Sequence, residues 1–151
     1  IRVIAWANEE NGQRGARGYL ASNKSSVDAH FAAIESDGGA GRTFGITTSV
    51  GPQAVKLFAP LQAVLQPMGA STFRREDVLG TGDLSGLEKA GVPSFAPLID
   101  TSTYFHYHHT AADTFDKVDK EDLRRHVALM AATTWFLANM EEPIGRWSEP
   151  R

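Results

Sequence analysis

Three short clusters in this chain carry side chains able to do acid–base or metal chemistry: the pair Glu9-Glu10, Asp37 within Glu35-Ser36-Asp37-Gly38-Gly39, and the run Tyr104-Phe105-His106-Tyr107-His108-His109. Two carboxylates side by side repel, and keeping both ionised near neutral pH is costly unless a cation lies beside them. Three of the five histidines fall within four residues, and neutral imidazole is a preferred zinc ligand. Asp113 follows His109 by four residues and is placed to orient a ligand histidine through its second ring nitrogen. Taken singly, each cluster also has an ordinary reading: a solvated acidic loop, a turn aspartate before glycines, a polar–aromatic loop. The glycines after Asp37 are no phosphate loop, because no Gly-Lys-Ser/Thr follows them. His30 and His126 fall inside a strand and a helix and read as structural.

The elements that must position these groups follow from hydrophobic patterning. Residues 2–7 are an apolar run of strand length ending at Asn8. A short helix is expected over 14–21 and a second buried strand over 30–34. Between 52 and 68 apolar residues recur at helical spacing, with Pro52 suited to the first turn and Gly69 to the stop. A third strand is expected over 95–99, introduced by Gly91-Val92-Pro93. The last helix starts near Asp119, a good N-cap, with Leu123, Val127, Met130, Thr134 and Leu137 as its buried stripe. Residues 143–151 read as irregular. Strands alternating with helices define an α/β domain with a largely parallel sheet. In open sheets of this kind ligands bind beyond the carboxyl ends of the strands. Each cluster follows such an end, so three distant segments converge on one rim. Adjacent residues on a regular strand face opposite ways; both glutamates can serve one site only if the backbone already turns there, which Asn11-Gly12 permits.

Composition bounds the partners. With 151 residues, 42% hydrophobic and 22% charged, the chain is one domain's worth of ordinary globular sequence. A net charge of −3 gives no sign of a nucleic-acid partner bound through phosphate neutralisation. No apolar run reaches the ~18 residues of a membrane span. The absence of cysteine excludes a disulfide framework and a thiolate zinc site.

Together, Asn8-Glu9-Glu10, Glu35-Ser36-Asp37 and His108-His109-Thr110-Ala111-Ala112-Asp113-Thr114 resemble the co-catalytic zinc exopeptidases, the family of the bacterial leucyl aminopeptidases and of plasma glutamate carboxypeptidase, or carboxypeptidase Q. The stretch Gly80-Thr81-Gly82-Asp83-Leu84-Ser85 leading to Gly91-Val92-Pro93, and the double histidine, look most like the carboxypeptidase Q branch. The resemblance covers nearly the whole chain. It implies a three-layer α/β sandwich with a mixed, largely parallel sheet flanked by helices. It implies Glu9 as general base, Glu10 and His109 as ligands of one zinc, and Asp37 as ligand of a second. It places Tyr104 and Asp83 near the substrate and Asp113 behind His109. The reaction implied is hydrolysis of a terminal peptide bond, with a peptide as substrate and two zinc ions as cofactors, in a secreted or periplasmic protein.

The family pattern also needs a histidine and a metal-bridging aspartate upstream of the matched part. The chain opens on Ile1 within an apolar run, and residues 1–151 read as the C-terminal portion of the catalytic domain. Alone it is expected to bind zinc weakly or not at all, since a site normally needs three protein ligands. An open sheet edge left by absent strands makes homo-oligomers an expectation. Two rival readings share the fold: a single-zinc acyl transferase of the glutaminyl cyclase type, using Glu10 and His109 with Glu9 as acid/base, and a non-catalytic binding module like transferrin-receptor ectodomains.

Overall fold

A computed structural model describes residues 1–80 and 82–147. Thr81 and residues 148–151, part of two stretches read above, lie outside the described residues. In chain order the elements are α1 (Arg14–Ser22), β1 (Ala33–Ile34), β2 (Thr43–Thr48), α2 (Ala59–Leu65), β3 (Thr72–Arg75), α3 (Ser85–Lys89), β4 (Ser94–Ile99), α4 (Tyr104–Tyr107) and α5 (Lys120–Ala138), joined by 3-10 turns. The sheet order is β1-β4-β2-β3. β1–β4 and β2–β3 are parallel and β2–β4 is antiparallel, so the sheet is mixed and largely parallel, as expected.

Alternation along the strands builds the layers. Ala32 and Ile34 face the main core, in which Ile46, Phe58, Leu61, Leu65, Phe95 and Leu129 lie beneath α2 and α5. Ala33 faces a smaller cluster of Leu84, Leu87 and Val92 with Trp6 and Tyr19, beneath α1 and α3. Helices therefore cover both faces.

One residue sets where the sheet gives way to the candidate site. Glu35 N–H donates to the Phe95 carbonyl, and the next rung of a parallel ladder needs the N–H of residue 97. That residue is Pro97, which has none. Pairing of β1 with β4 stops at Ile34–Phe95, and residues 35–37 leave the sheet.

Several expectations are corrected. Residues 2–7 are not a strand: among the described residues they pair with no neighbour, and Ile1 and Val3 are almost fully exposed. An apolar run becomes a strand only beside another strand, and this one instead packs Trp6 edge-on to Tyr19 at 5.5 Å. The strand expected over 30–34 is confined to Ala33–Ile34. The helix expected over 52–68 is α2 between two 3-10 segments, Pro52–Phe58 and Gln66–Met68. Pro60 and Pro67 each remove an amide the α-helical ladder requires. Gly69 does end it, in the left-handed region at φ 69°. Strands β2 and β3 were not anticipated.

Asp119 caps α5 as expected, accepting from the amides of Glu121 and Asp122 at 2.9 Å. The buried stripe, however, is His126, Leu129, Thr133 and Leu137; Val127 is 60% exposed. Between Arg125 and Glu141 the helix carries no charged residue besides His126, so periodicity alone does not choose the inward face. The choice is fixed by His126, whose Nε2 is hydrogen-bonded to Ser36 Oγ at 2.7 Å. His30 is likewise structural: its Nδ1 donates to carbonyls of Ser26 and Val27, leaving Nε2 to accept from the Tyr19 hydroxyl at 2.7 Å.

Burial holds the His126 imidazole below its ordinary 6.5. A depressed folded value means that the unfolded chain binds the extra proton first as pH falls. His126 therefore contributes fully above about pH 6.5 and loses its contribution as pH drops through the folded value. His126→Gln should flatten this limb in urea melts between pH 7 and 5; an unchanged difference between variant and parent across that range would remove His126 from the acid response.

Candidate metal and acid–base site

The Glu9-Glu10 turn is built from backbone bends. Glu9–Asn11 is a 3-10 turn bracketed by Asn8 at φ 64° and Gly12 at φ 91°, and Gln13 follows at φ 56°. Turning the chain here sends the two glutamates apart. Glu10 meets the histidine run: His109 Nε2 donates to Glu10 Oε1 across 2.7 Å, joining residues 99 apart in sequence. Glu9 faces the loop before α3, where a Cβ added to Gly82 would lie 2.9 Å from Glu9 Oε1. Glycine is the residue that lets this carboxylate sit against the loop.

The histidines after β4 form an aromatic stack. Tyr104 and His108 lie 4.5 Å apart, and His108 and His109 3.8 Å, each pair within 24° of parallel. His109 is in the left-handed region at φ 56°. Among the described residues, all three non-glycine residues with positive φ, Asn8, Gln13 and His109, belong to these two segments. Such conformations cost on the order of 1–3 kcal/mol each and concentrate at functional sites.

Electrostatics tie Asp37, Asp83 and Tyr104 to the same place. The Tyr104 phenol is held above its ordinary value by burial and by the charges of Asp37, Glu10 and Asp113, so it stays an O–H donor. Asp83 is 5% exposed. Its carboxyl is pushed up by burial, then by Glu9 and Asp37, and its Oδ1 has no hydrogen-bond partner among the described residues. Asp113 acts on Tyr104 but is not hydrogen-bonded to His109; its amide donates to the Thr110 carbonyl.

Contacts the sequence reading passed over hold these loops together. Buried Glu35 accepts from the amides of Asp83 and Leu84 at 3.2 and 3.3 Å. Ser85 donates to Gln13 at 3.2 Å, and Ser36 is joined to His126. The one available signal was Glu35, an acid at the end of an apolar strand.

Imidazole and carboxylate are the donor types zinc takes, and ligands of a tetrahedral ion sit about 3.3 Å apart. The Glu10–His109 pair, at 2.7 Å, needs to part only slightly to hold one. Both side chains are more than half exposed, open toward whatever completes the site. Among the described residues no group of three or more His, Asp or Glu is arranged to hold a metal.

Asp83 gives a direct test of the local electrostatics. A raised folded value means its stabilising contribution exists below about pH 3.8 and is lost as pH rises through the folded value. At pH 7 its ionised form is a net cost, and Asp83→Asn should raise Tm by about 2–4 °C, the shift expected for ~1 kcal/mol in a chain of this size. A lower Tm at pH 7 would show that the charge is matched by a partner.

An α/β domain with paired acids and a histidine run at one rim is the frame of a metallopeptidase, and this chain belongs to peptidase family M28, whose model matches residues 1–134. It is similar to carboxypeptidase Q of Pongo abelii, with 29% identity over 149 residues, and of Homo sapiens, with 28% over 149 residues. In both cases the match covers 97% of this chain and 30% of the relative. It is also similar to the crystal structure of a peptidase M28 precursor from Shewanella amazonensis SB2B, with a TM-score of 0.90 and 34% identity, over 99% of this chain and 33% of that one. The chain thus spans about a third of the length of the relatives it matches.

Proposed function

We propose that this chain carries the general base and part of the metal site of a zinc-dependent exopeptidase, and that turnover belongs to a longer polypeptide supplying the remaining ligands. The observation that carries the reading is the Glu10–His109 contact, with Glu9 turned away from it toward Asp83. Glu10 and His109 would hold one zinc and Asp37 would contribute to a second; zinc bound there would supply a water of lowered pKa and a Lewis acid for the scissile carbonyl. Glu9, outside the Glu10–His109 pair, takes the proton and returns it to the leaving amine. Tyr104, kept protonated by its acidic neighbours, donates to the oxygen on which negative charge develops. Asp83 lies buried beside Glu9. A carboxypeptidase or aminopeptidase acting on short peptides fits these roles, and the carboxypeptidase Q relatives favour the former name.

The test is made in a chain of the relatives' full length. Dipeptide hydrolysis and two zinc ions per chain by elemental analysis are expected, and His109→Ala should lose metal together with activity. A single zinc with cyclisation of N-terminal glutamine, or no turnover at full zinc loading, would end the proposal.

A further inference from the structure

Asp37 sits in an irregular stretch, residues 35–42, between β1 and β2. The two side chains before it are tied to opposite faces of the sheet, as alternation along an extended chain dictates. Glu35 reaches the loop before α3, where it accepts from the amides of Asp83 and Leu84. Ser36 reaches α5, where its Oγ is bonded to His126 Nε2 at 2.7 Å. The far end of the stretch is held as well. Gly41 lies against Asp100, whose carbonyl oxygen would be 2.3 Å from a Cβ added there, and the Asp100 amide donates to the Arg42 carbonyl at 2.8 Å. Between these ties come exposed Asp37, Gly38 and Gly39. Gly39 is at φ 85°, and two adjacent glycines give this part of the backbone wide freedom. Asp37 therefore takes its place from its neighbour on the tied side, Ser36, and Ser36 takes its own from His126.

We infer that His126 is a positioning residue for Asp37: through Ser36 it holds the turn that presents this carboxylate to the second zinc. The role rests on Asp37 being a ligand of that zinc. His126 is 6% exposed, so the anchor is fixed in the core while the carboxylate it places stays open. Seating α5 gives no separate reason for a histidine. Leu129 and Leu137 already bury the helix in the main core, and Asp119 caps its start. His126 Nδ1 is buried with no hydrogen-bond partner among the described residues. An unpaired buried polar atom costs stability, and an apolar side chain of similar size would avoid that cost. What the imidazole offers and a leucine does not is the single bond to Ser36. Groups that orient a metal ligand from behind are commonly worth 10–100-fold in metal affinity, and the pair His126–Ser36 stands in that relation to Asp37. The Glu10–His109 pair, held by other segments, is outside its reach.

Stepwise zinc binding to the full-length chain, measured by competition with a chromophoric chelator, decides the matter, with thermal melts of the same preparations. Ser36→Ala and His126→Leu should each weaken the second zinc at least about tenfold and leave the first unchanged. The double variant should be no weaker than the worse single one, because both remove the same bond. His126→Gln, whose amide reaches the place of Nε2, should keep the second zinc. Ser36→Ala shortens an exposed side chain and keeps the test open if His126→Leu does not fold. A merely structural contact would lower Tm and weaken both zinc sites together, and that result would overturn the inference. So would a second zinc held as tightly in Ser36→Ala as in the parent, or a His126→Gln chain no better than His126→Leu. A parent that binds no zinc would end the reading of the site itself, and the role of His126 with it.

Discussion

Glu9→Gln, in the full-length context, is expected to lower kcat for terminal peptide-bond hydrolysis by about 10²–10⁴-fold, the usual worth of a positioned general base, or roughly 3–5 kcal/mol of barrier. Glutamine keeps the size and one oxygen of the side chain, so the close fit against Gly82 survives. What is lost is the ability to accept a proton. Bound zinc should be unchanged, because Glu10 and His109 face each other independently of Glu9. Steady-state kinetics and elemental analysis on one preparation separate the roles: lost turnover with retained metal identifies a base, lost metal identifies a ligand. Retained kcat would take Glu9 out of the proton path.

The second large effect lies in the core. Phe58 is fully buried, stacked on Phe73 at 4.8 Å and packed against Phe95 at 5.3 Å and Phe136 at 6.0 Å. It joins the Pro52–Phe58 turn to β3, β4 and α5 at one point. Phe58→Ala should cost about 3–5 kcal/mol through lost burial and the cavity left behind. Against a total of about 5–15 kcal/mol, that removes from about a fifth to nearly all of the stability. Urea denaturation followed by circular dichroism reads the loss; a change below about 1 kcal/mol would show that the surrounding rings collapse into the space.

Particular residues show how much was legible in sequence. Asp119 and Gly69 act through local backbone chemistry, and each marks its helix end as read. The family and the layered fold were legible because three motifs keep their order and spacing. Residues 2–7 were misread because a strand is a relation between segments, and hydrophobic pattern reports only one of them. β2 and β3 were missed for a related reason: Thr43–Thr48 carries Gly45 and three threonines, and Thr72–Arg75 ends in two arginines on the sheet edge, so neither shows a clean apolar run. Leu137 is buried as read, but the rest of the α5 stripe was read one position off because both faces are apolar, and the deciding contact, Ser36 to His126, spans 90 residues. Of the site, residue types were readable, but which glutamate turns toward which loop was set by the bends at Asn8, Gly12 and Gln13.

Those bends bear on how the protein would respond to selection. Asn8, Gln13 and His109 each occupy a conformation that glycine adopts without strain, so glycine relieves steric cost of up to about 1–2 kcal/mol, least at Asn8, whose short polar side chain tolerates this region. A library screened only for survival at high temperature should enrich replacements at these positions early, and the winners would be sturdier chains with a blunted candidate site. Heat tolerance and the proposed chemistry draw on the same few backbone angles, so one would be gained at the expense of the other.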